Sequence, residues 1–267
     1  MPNIKVIACD LDGTLLLNGA QQLQPNTCDL IEQLTERGIL FIAASGRQYT
    51  NLRRLFAPVA DRIGFICENG CLGFFGGKRL FRETFDHALG QEIMRAIQKT
   101  PGTEVLLSGE TVSYLEPKEQ SYTHHVRDVL KNDVLLVPDI LNTPEPDMKI
   151  SVYESSGIQD AQRWEREFGD RCTVVTGGNA WLDMMPTGVN KAIGLARMLH
   201  HLNISPEACM AIGDNDNDRE MLELVRYPVA VKSAKPGIRS LAKLETDTVE
   251  HLFEQILAGA LPRIDET

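Results

Sequence analysis

No run of about 18 uncharged apolar residues occurs in this chain, so a membrane-spanning helix is not expected. Positive charge is scarce: 27 Lys+Arg stand against 37 Asp+Glu in 267 residues, a formal net charge of −10. A field of that sign argues against nucleic-acid and anionic-membrane partners, and leaves room only for a local cationic site that takes a small phosphate. Low-complexity tracts and internal repeats are missing, and 43% hydrophobic with 24% charged residues excludes a disordered chain. The opening MPNIKVIACD has no basic segment leading into an apolar run; no signal peptide is expected and a cytoplasmic protein is. A second cysteine pair beside the CxxxC spacing of Cys67 and Cys71 is lacking too. Cys9, Cys28, Cys67, Cys71, Cys172 and Cys209 are scattered among apolar runs, as reduced and buried thiols would be. Cys67 and Cys71 have no second Cys/His pair nearby, so they do not make a zinc site.

What is present reads most clearly at the two ends. Ile4 to Cys9 is apolar except for Lys5, the pattern of a strand buried on both faces. After Pro25, residues Asn26 to Arg37 put Leu30, Ile31 and Leu34 on one face and stop at Gly38, which predicts a helix. Ile39 to Ala44 and Gly64 to Cys67 predict two more strands. The C-terminal part repeats the alternation with a helix over Asn190 to His201, a strand over Cys209 to Ile212, and a helix carrying Met221, Leu222 and Val225. A strand over Pro228 to Val231 comes next, then helical segments near Ile238 to Leu244 and Val249 to Leu257, and a loose tail after Gly259. Strands alternating with helices imply right-handed crossovers and a parallel, doubly wound α/β sheet.

Between Phe85 and Pro186 the pattern changes. A helix over Leu89 to Lys99 precedes short strands over Glu104 to Leu107 and Val112 to Leu115, then a segment from Tyr122 to Leu130 and a Pro-containing loop from Asn142 to Asp147. A strand over Lys149 to Tyr153, a helix over Asp160 to Phe168 and strands over Cys172 to Thr176 and Ala180 to Met185 complete it. Hairpin-like pairs with helices between them predict a small α+β domain. Because parallel-sheet material flanks it, residues 1–84 and 187–267 are expected to form one domain and residues 85–186 an insert.

The chemistry concentrates where predicted strands end, which is where open parallel sheets bind ligands. Asp10-Leu11-Asp12-Gly13-Thr14 follows the first strand, with two carboxylates able to converge and a glycine permitting a sharp turn. Ser45-Gly46-Arg47 closes the second strand with a hydroxyl and backbone N–H groups suited to a phosphate. Lys191 opens a helix, where ammonium and helix dipole act together on an anion. Gly213-Asp214-Asn215-Asp216-Asn217-Asp218 closes a later strand with three acids, which would repel Asp10 and Asp12 without a cation among them. Oxygen ligands of this kind favour Mg²⁺.

In that order, DLDGT, SGR, the lone Lys191 and GDNDND resemble the four motifs of the haloacid-dehalogenase (HAD) superfamily of phosphotransferases. The insert resembles the type-IIB cap of the Cof-like phosphatases, and Glu68-Asn69-Gly70 matches a sequence common among them. The resemblance implies a Rossmann-like HAD core with an inserted α+β cap. It implies a Mg²⁺-dependent phosphatase acting on a small phosphorylated metabolite, such as a sugar phosphate, FMN or pyridoxal phosphate. Asp10 would be the nucleophile that becomes an aspartyl-phosphate, and Asp12 the general acid and then base. Mg²⁺ would be held by the Asp10 carboxylate, the Asp12 carbonyl and Asp214, with Asp218 behind them or bound through water. Ser45, the Gly46 N–H, Lys191 and Asn217 would hold the phosphoryl oxygens, and Arg47 would touch substrate or form an ion pair. Val231-Lys232-Ser233-Ala234 departs from the Gly-Asn-Ala or Glu-Asn-Ala of many relatives.

Two other functions fit parts of this pattern. A phosphomutase shares the core and cap, and a phosphorylation-dependent switch places similar residues round Mg²⁺. A receiver-type switch is much shorter, with its phosphorylated Asp after the third strand. Within the insert, His124-His125 read as surface histidines. Tyr114, Tyr122, Tyr153 and Trp181 are expected mainly in the core, with Trp181 to Met185 the first segment to inspect for specificity.

Overall fold

The computed structural model describes residues 3–176 and 179–261. Strand β1 (Val6–Cys9) is buried along its whole length, which is why no polar residue interrupts it. It pairs in parallel with β2 (Leu40–Ala44), reached through α1 (Thr27–Glu36), whose Leu30, Ile31 and Leu34 are buried. Helix α2 (Tyr49–Leu55) leads to β3 (Gly64–Cys67), parallel to β2. Then β4 (Leu72–Phe75) and β5 (Lys78–Arg82) return as antiparallel strands.

The middle of the chain builds a second sheet from α3 (His87–Lys99), β6 (Glu104–Ser108), β7 (Ser113–Leu115), α4 (Gln120–His124), β8 (Val134–Leu136), β9 (Lys149–Tyr153), α5 (Ala161–Phe168), β10 (Cys172–Thr176) and β11 (Trp181–Pro186). Its order is β10-β11-β9-β6-β7-β8, antiparallel except between β7 and β8. Strand alternation sorts its residues. Val105, Leu107, Ile150, Val152, Leu182 and Met184 pack with Ile93, Met94, Trp164 and Phe168 of α3 and α5. The intervening Ser108, Lys149, Ser151 and Asp183 fall on the other face and line a cavity.

The chain re-enters the first sheet through α6 (Lys191–His201), β12 (Cys209–Gly213), α7 (Arg219–Leu224), β13 (Tyr227–Val231), α8 (Pro236–Arg239), β14 (Leu244–Thr246) and α9 (Val249–Ala258). The sheet order is β14-β13-β12-β1-β2-β3-β4-β5. From β1 the chain winds outward through β2 and β3 on one side, and later through β12 to β14 on the other. The turns leaving β1 and β12 therefore part and open a crevice at the carboxyl ends of the strands. The mixed sheet, six parallel strands from β14 to β3 extended by the antiparallel β4 and β5 at the other edge, is the α/β class expected.

Several local expectations are corrected. The run 238–244 is helical only to Arg239, and Leu244–Thr246 is a strand because it pairs in parallel with β13. Residues 120–129 form α4 and one π-helical turn (His125–Val129). Helix α2 and strands β4, β5 and β8 are not expected from the sequence; β8 is three residues long, and β5 is exposed or partly exposed at four of five positions. Of the tail, residues 262–267 lie outside the described residues. All six cysteines are free, and all but the half-buried Cys28 are buried. Among the described residues no helix is long and apolar enough to cross a membrane.

Candidate active site

Asp10 is the first residue after β1, and its carboxylate is buried at the mouth of the crevice. Lys191 is the first residue of α6, whose Asn190 side chain caps the helix by accepting the Ile193 N–H. The Lys191 ammonium, itself only 1% exposed, donates to Asp10 Oδ1 at 2.5 Å and to Asp218 Oδ1 at 2.7 Å. Asp218 uses its other oxygen to accept the backbone N–H groups of Asp214 and Asn215, folding the loop after β12 round itself. The Thr14 hydroxyl donates to Asp214 Oδ1 at 2.8 Å, which ties that loop to the one after β1. Gly13 sits at φ 96°, and a Cβ there would overlap the Asp214 carboxylate.

Charge is out of balance here. Carboxylate oxygens of Asp10, Asp214 and Asp218 lie within 4.8 Å of one another, with one ammonium among them. Burial pushes the Asp10 carboxyl well above its usual range, Asp218 adds to this, and Lys191 opposes it. Burial likewise raises Asp214, against the Thr14 hydrogen bond. Burial works against the charge on Lys191, but Asp10 and Asp218 outweigh it and hold its pKa above the ordinary value. Both oxygens of Asp218 are committed, whereas Asp10 and Asp214 each accept from one neighbour, Lys191 and Thr14, through a single oxygen and lie close to each other. A small hard cation fits that donor set, since it would take carboxylate oxygens and offset the excess negative charge.

The crevice is one wall of a cavity of about 420 Å³ whose other wall is the second sheet. Asp10, Asp12, Ser45, Gly46, Lys191 and Asn217 line it, and Arg47 joins them. Arg47 forms a two-pronged ion pair with Asp12, Nε to Oδ2 at 2.9 Å and Nη2 to Oδ1 at 2.5 Å. Asp214 and Asp218 lie beneath, and Asp216 points to solvent, paired with Lys235.

On the facing wall are residues that the sequence did not single out together. Lys149 of β9 is 6% exposed and lies 2.8 Å from Glu68 Oε2 and 3.5 Å from Asp183 Oδ2, and it donates to the Gly46 carbonyl at 2.8 Å. Asp183 also accepts from the Ser151 hydroxyl at 2.6 Å and the Asn69 amide at 2.9 Å. Glu68 and Asn69 hold positive φ values of 50° and 55°, a cost of the order of 1 kcal/mol each that surrounding contacts must offset. Burial raises the Glu68 pKa and Lys149 opposes the rise. The available signal was the alternation Lys149, Ile150, Ser151, Val152, which puts a lysine and a serine on one face of a strand whose other face is apolar.

Trp181 lines the cavity, stacked with His125 at 6.1 Å and tilted against Tyr153 at 4.7 Å. His125 is therefore half-buried rather than a surface histidine; desolvation lowers its pKa, while His124 is exposed. Tyr114 packs in the core behind the second sheet, and Tyr122 is buried beside Tyr153.

This architecture has relatives. It aligns with a haloacid dehalogenase-like hydrolase of Bacteroides thetaiotaomicron at TM-score 0.83 and 21% identity, over 95% of this chain and 99% of the other. The HAD subclass IIB sugar phosphatase BT4131 aligns at TM-score 0.80 and 19% identity, over 96% and 100%. At these identities the likeness concerns the fold. By sequence the chain is 26% identical to the 5-amino-6-(5-phospho-D-ribitylamino)uracil phosphatase YbjI of Escherichia coli, over 90% of each. It is 24% identical to an HMP-PP phosphatase of Serratia proteamaculans, over 96% of this chain and 94% of that one. The family profile of the haloacid dehalogenase-like hydrolases matches residues 7–251, nearly the whole chain, and the protein belongs to that family.

Proposed function

We propose that the protein is a phosphatase of small phosphorylated metabolites, with Asp10 as nucleophile. The observation that carries this reading is the Asp10 carboxylate clamped by the buried Lys191 ammonium at the floor of a metabolite-sized cavity. An Asp10 oxygen attacks phosphorus while the bond to the ester oxygen breaks, leaving an aspartyl-phosphate and a freed alcohol. Asp12 delivers the proton the departing oxygen needs, then takes one from the water that hydrolyses the acyl phosphate and restores Asp10. Before the first of these acts Asp12 must leave the grip of Arg47, which then faces the substrate's negative charge. Ser45, the Gly46 N–H, Lys191 and Asn217 hold phosphoryl oxygens, and fixed donors of this kind supply much of the acceleration in such transfers.

The Asp10 and Asp214 carboxylates and the Asp12 carbonyl would hold Mg²⁺, with Asp218 orienting the loop behind them. When bound, Mg²⁺ would neutralise charge on the transferring phosphoryl group. The second sheet, residues 85–186, acts as a cap that covers the cavity and excludes water. The names of relatives, a 5-amino-6-(5-phospho-D-ribitylamino)uracil phosphatase, an HMP-PP phosphatase and a sugar phosphatase, support a small phosphorylated metabolite.

Phosphate release from sugar phosphates, FMN, pyridoxal phosphate and nucleotides, with Mg²⁺ and with EDTA, tests this. Metal-dependent release that disappears in Asp10→Asn is the expected result. Release that persists in Asp10→Asn would refute the nucleophile assignment.

A further inference from the structure

The Ser45–Gly46 loop is held from across the cavity by two routes. Asn69 donates its backbone N–H to the Ser45 carbonyl at 3.1 Å, and its amide lies so close to Gly46 that a Cβ there would sit 3.0 Å from Oδ1. The same amide is fixed by Asp183 of β11 through Nδ2 at 2.9 Å. The second route is Lys149 of β9, which donates directly to the Gly46 carbonyl across 103 positions of sequence at 2.8 Å.

Lys149 lines the cavity, so contact with substrate is the first role to consider. An ammonium has three N–H groups. Those of Lys149 face Glu68 Oε2 at 2.8 Å, the Gly46 carbonyl at 2.8 Å and Asp183 Oδ2 at 3.5 Å. A ligand reaching this ammonium would have to compete with the hydrogen bond to Gly46 and with two buried carboxylates. The ammonium is 8% exposed at its side chain, between two carboxylates that are 3% and 10% exposed, so its place is fixed by the pairing of both sheets. Glu68 comes from the first sheet's β3 turn, whereas Lys149 and Asp183 both belong to the second sheet, and moving the sheets apart would part Glu68 and the Gly46 carbonyl from the ammonium.

We infer that Lys149 is a positioning residue: it ties the Ser45–Gly46 loop to the second sheet, so that the loop takes its anion-binding shape only when the cap is seated. This rests on the proposed role of Ser45 and Gly46 in holding the phosphoryl group. It also makes capture of the leaving group under the cap and binding of the phosphate one event.

Two variants test it, Lys149→Met and the charge-balanced Lys149→Met/Glu68→Gln, the second guarding against unfolding caused by unpaired buried carboxylates. With Mg²⁺ present, orthophosphate affinity is measured by calorimetry. Values of kcat/KM are measured for p-nitrophenyl phosphate and a hexose phosphate, whose leaving groups have little in common. The expected result is a loss of about ten- to a hundredfold in orthophosphate affinity, matched by the same factor in kcat/KM for both esters. A loss confined to one ester with orthophosphate affinity intact would overturn the inference and make Lys149 a leaving-group reader. Unchanged affinity and rates would overturn it as well. If the unaltered protein released no phosphate from either ester, the phosphatase reading would fail, while the orthophosphate comparison would still decide the coupling.

Discussion

Arg47 grips both carboxylate oxygens of Asp12, with Nε 2.9 Å from Oδ2 and Nη2 2.5 Å from Oδ1. The fork comes from the loop after β2 and the carboxylate from the loop after β1, so one pair of side chains joins two motif-bearing turns. Only a planar guanidinium makes this two-pronged contact; an ammonium cannot reproduce it. The Asp12 side chain is 55% exposed, so the pair contributes little to stability. Arg47→Lys should therefore shift Tm by less than about 2 °C, yet lower kcat/KM by roughly tenfold or more. Thermal melts beside steady-state kinetics check both halves, and full activity would end the idea that Arg47, once Asp12 is released, faces the substrate's negative charge.

Asp10→Asn should reduce phosphate release by about a thousandfold or more, because an amide is a poor nucleophile toward phosphorus. The fold should persist, since Lys191 keeps Asp218 at 2.7 Å. Circular dichroism and a phosphate-release assay on the same preparation separate loss of chemistry from loss of structure.

Crowding of Asp10, Asp214 and Asp218 round a single ammonium destabilises the metal-free protein. Asp214→Asn should raise the metal-free Tm by about 2 °C or more, since one unit of repulsion disappears. The same change should remove most of the rise in Tm that Mg²⁺ gives the unaltered protein. Paired melts with Mg²⁺ and with EDTA read both effects; an undiminished Mg²⁺ shift would place the cation elsewhere.

Gly70 stands at φ 109°, and a Cβ on it would overlap the Asn190 carbonyl oxygen at the start of α6. Gly70→Ala must push that helix terminus away, and Lys191 with it. A fall in Tm of at least about 5 °C is expected from strain and overlap together. Activity should fall further than stability alone explains, which kinetics well below the melting range would reveal. Wild-type rates in a folded Gly70→Ala variant would show that α6 need not sit so close.

Much of the fold is legible along the chain because its signals are local. The VIAC and CMAIG strands are apolar since both faces of a central parallel strand are covered, and both are buried throughout. Only Leu244 of strand β14 falls in a segment that reads as helix, and Glu245 and Thr246 carry no clear period; pairing with β13 decides their state. Edge strand β8 is invisible for a similar reason, being short and half-exposed. His125 offers no local cue to its stacking against Tyr153 and Trp181, which come from β9 and β11.

The same division runs through the site. By itself the sequence determined which groups stand at the carboxyl ends of the strands: Asp10 and Asp12 after β1, Ser45 to Arg47 after β2, and Asp214 to Asp218 after β12. Each follows its own strand within a few residues, so chain connectivity alone puts it there. Tertiary structure decided the pairings between them, such as Lys191 on Asp10 across 181 positions and Lys149 on Gly46 across 103. Those contacts depend on which strand lies beside which and on how two sheets face each other. Burial then fixes the partners, because a charge removed from water must find an opposite charge or a hydrogen bond.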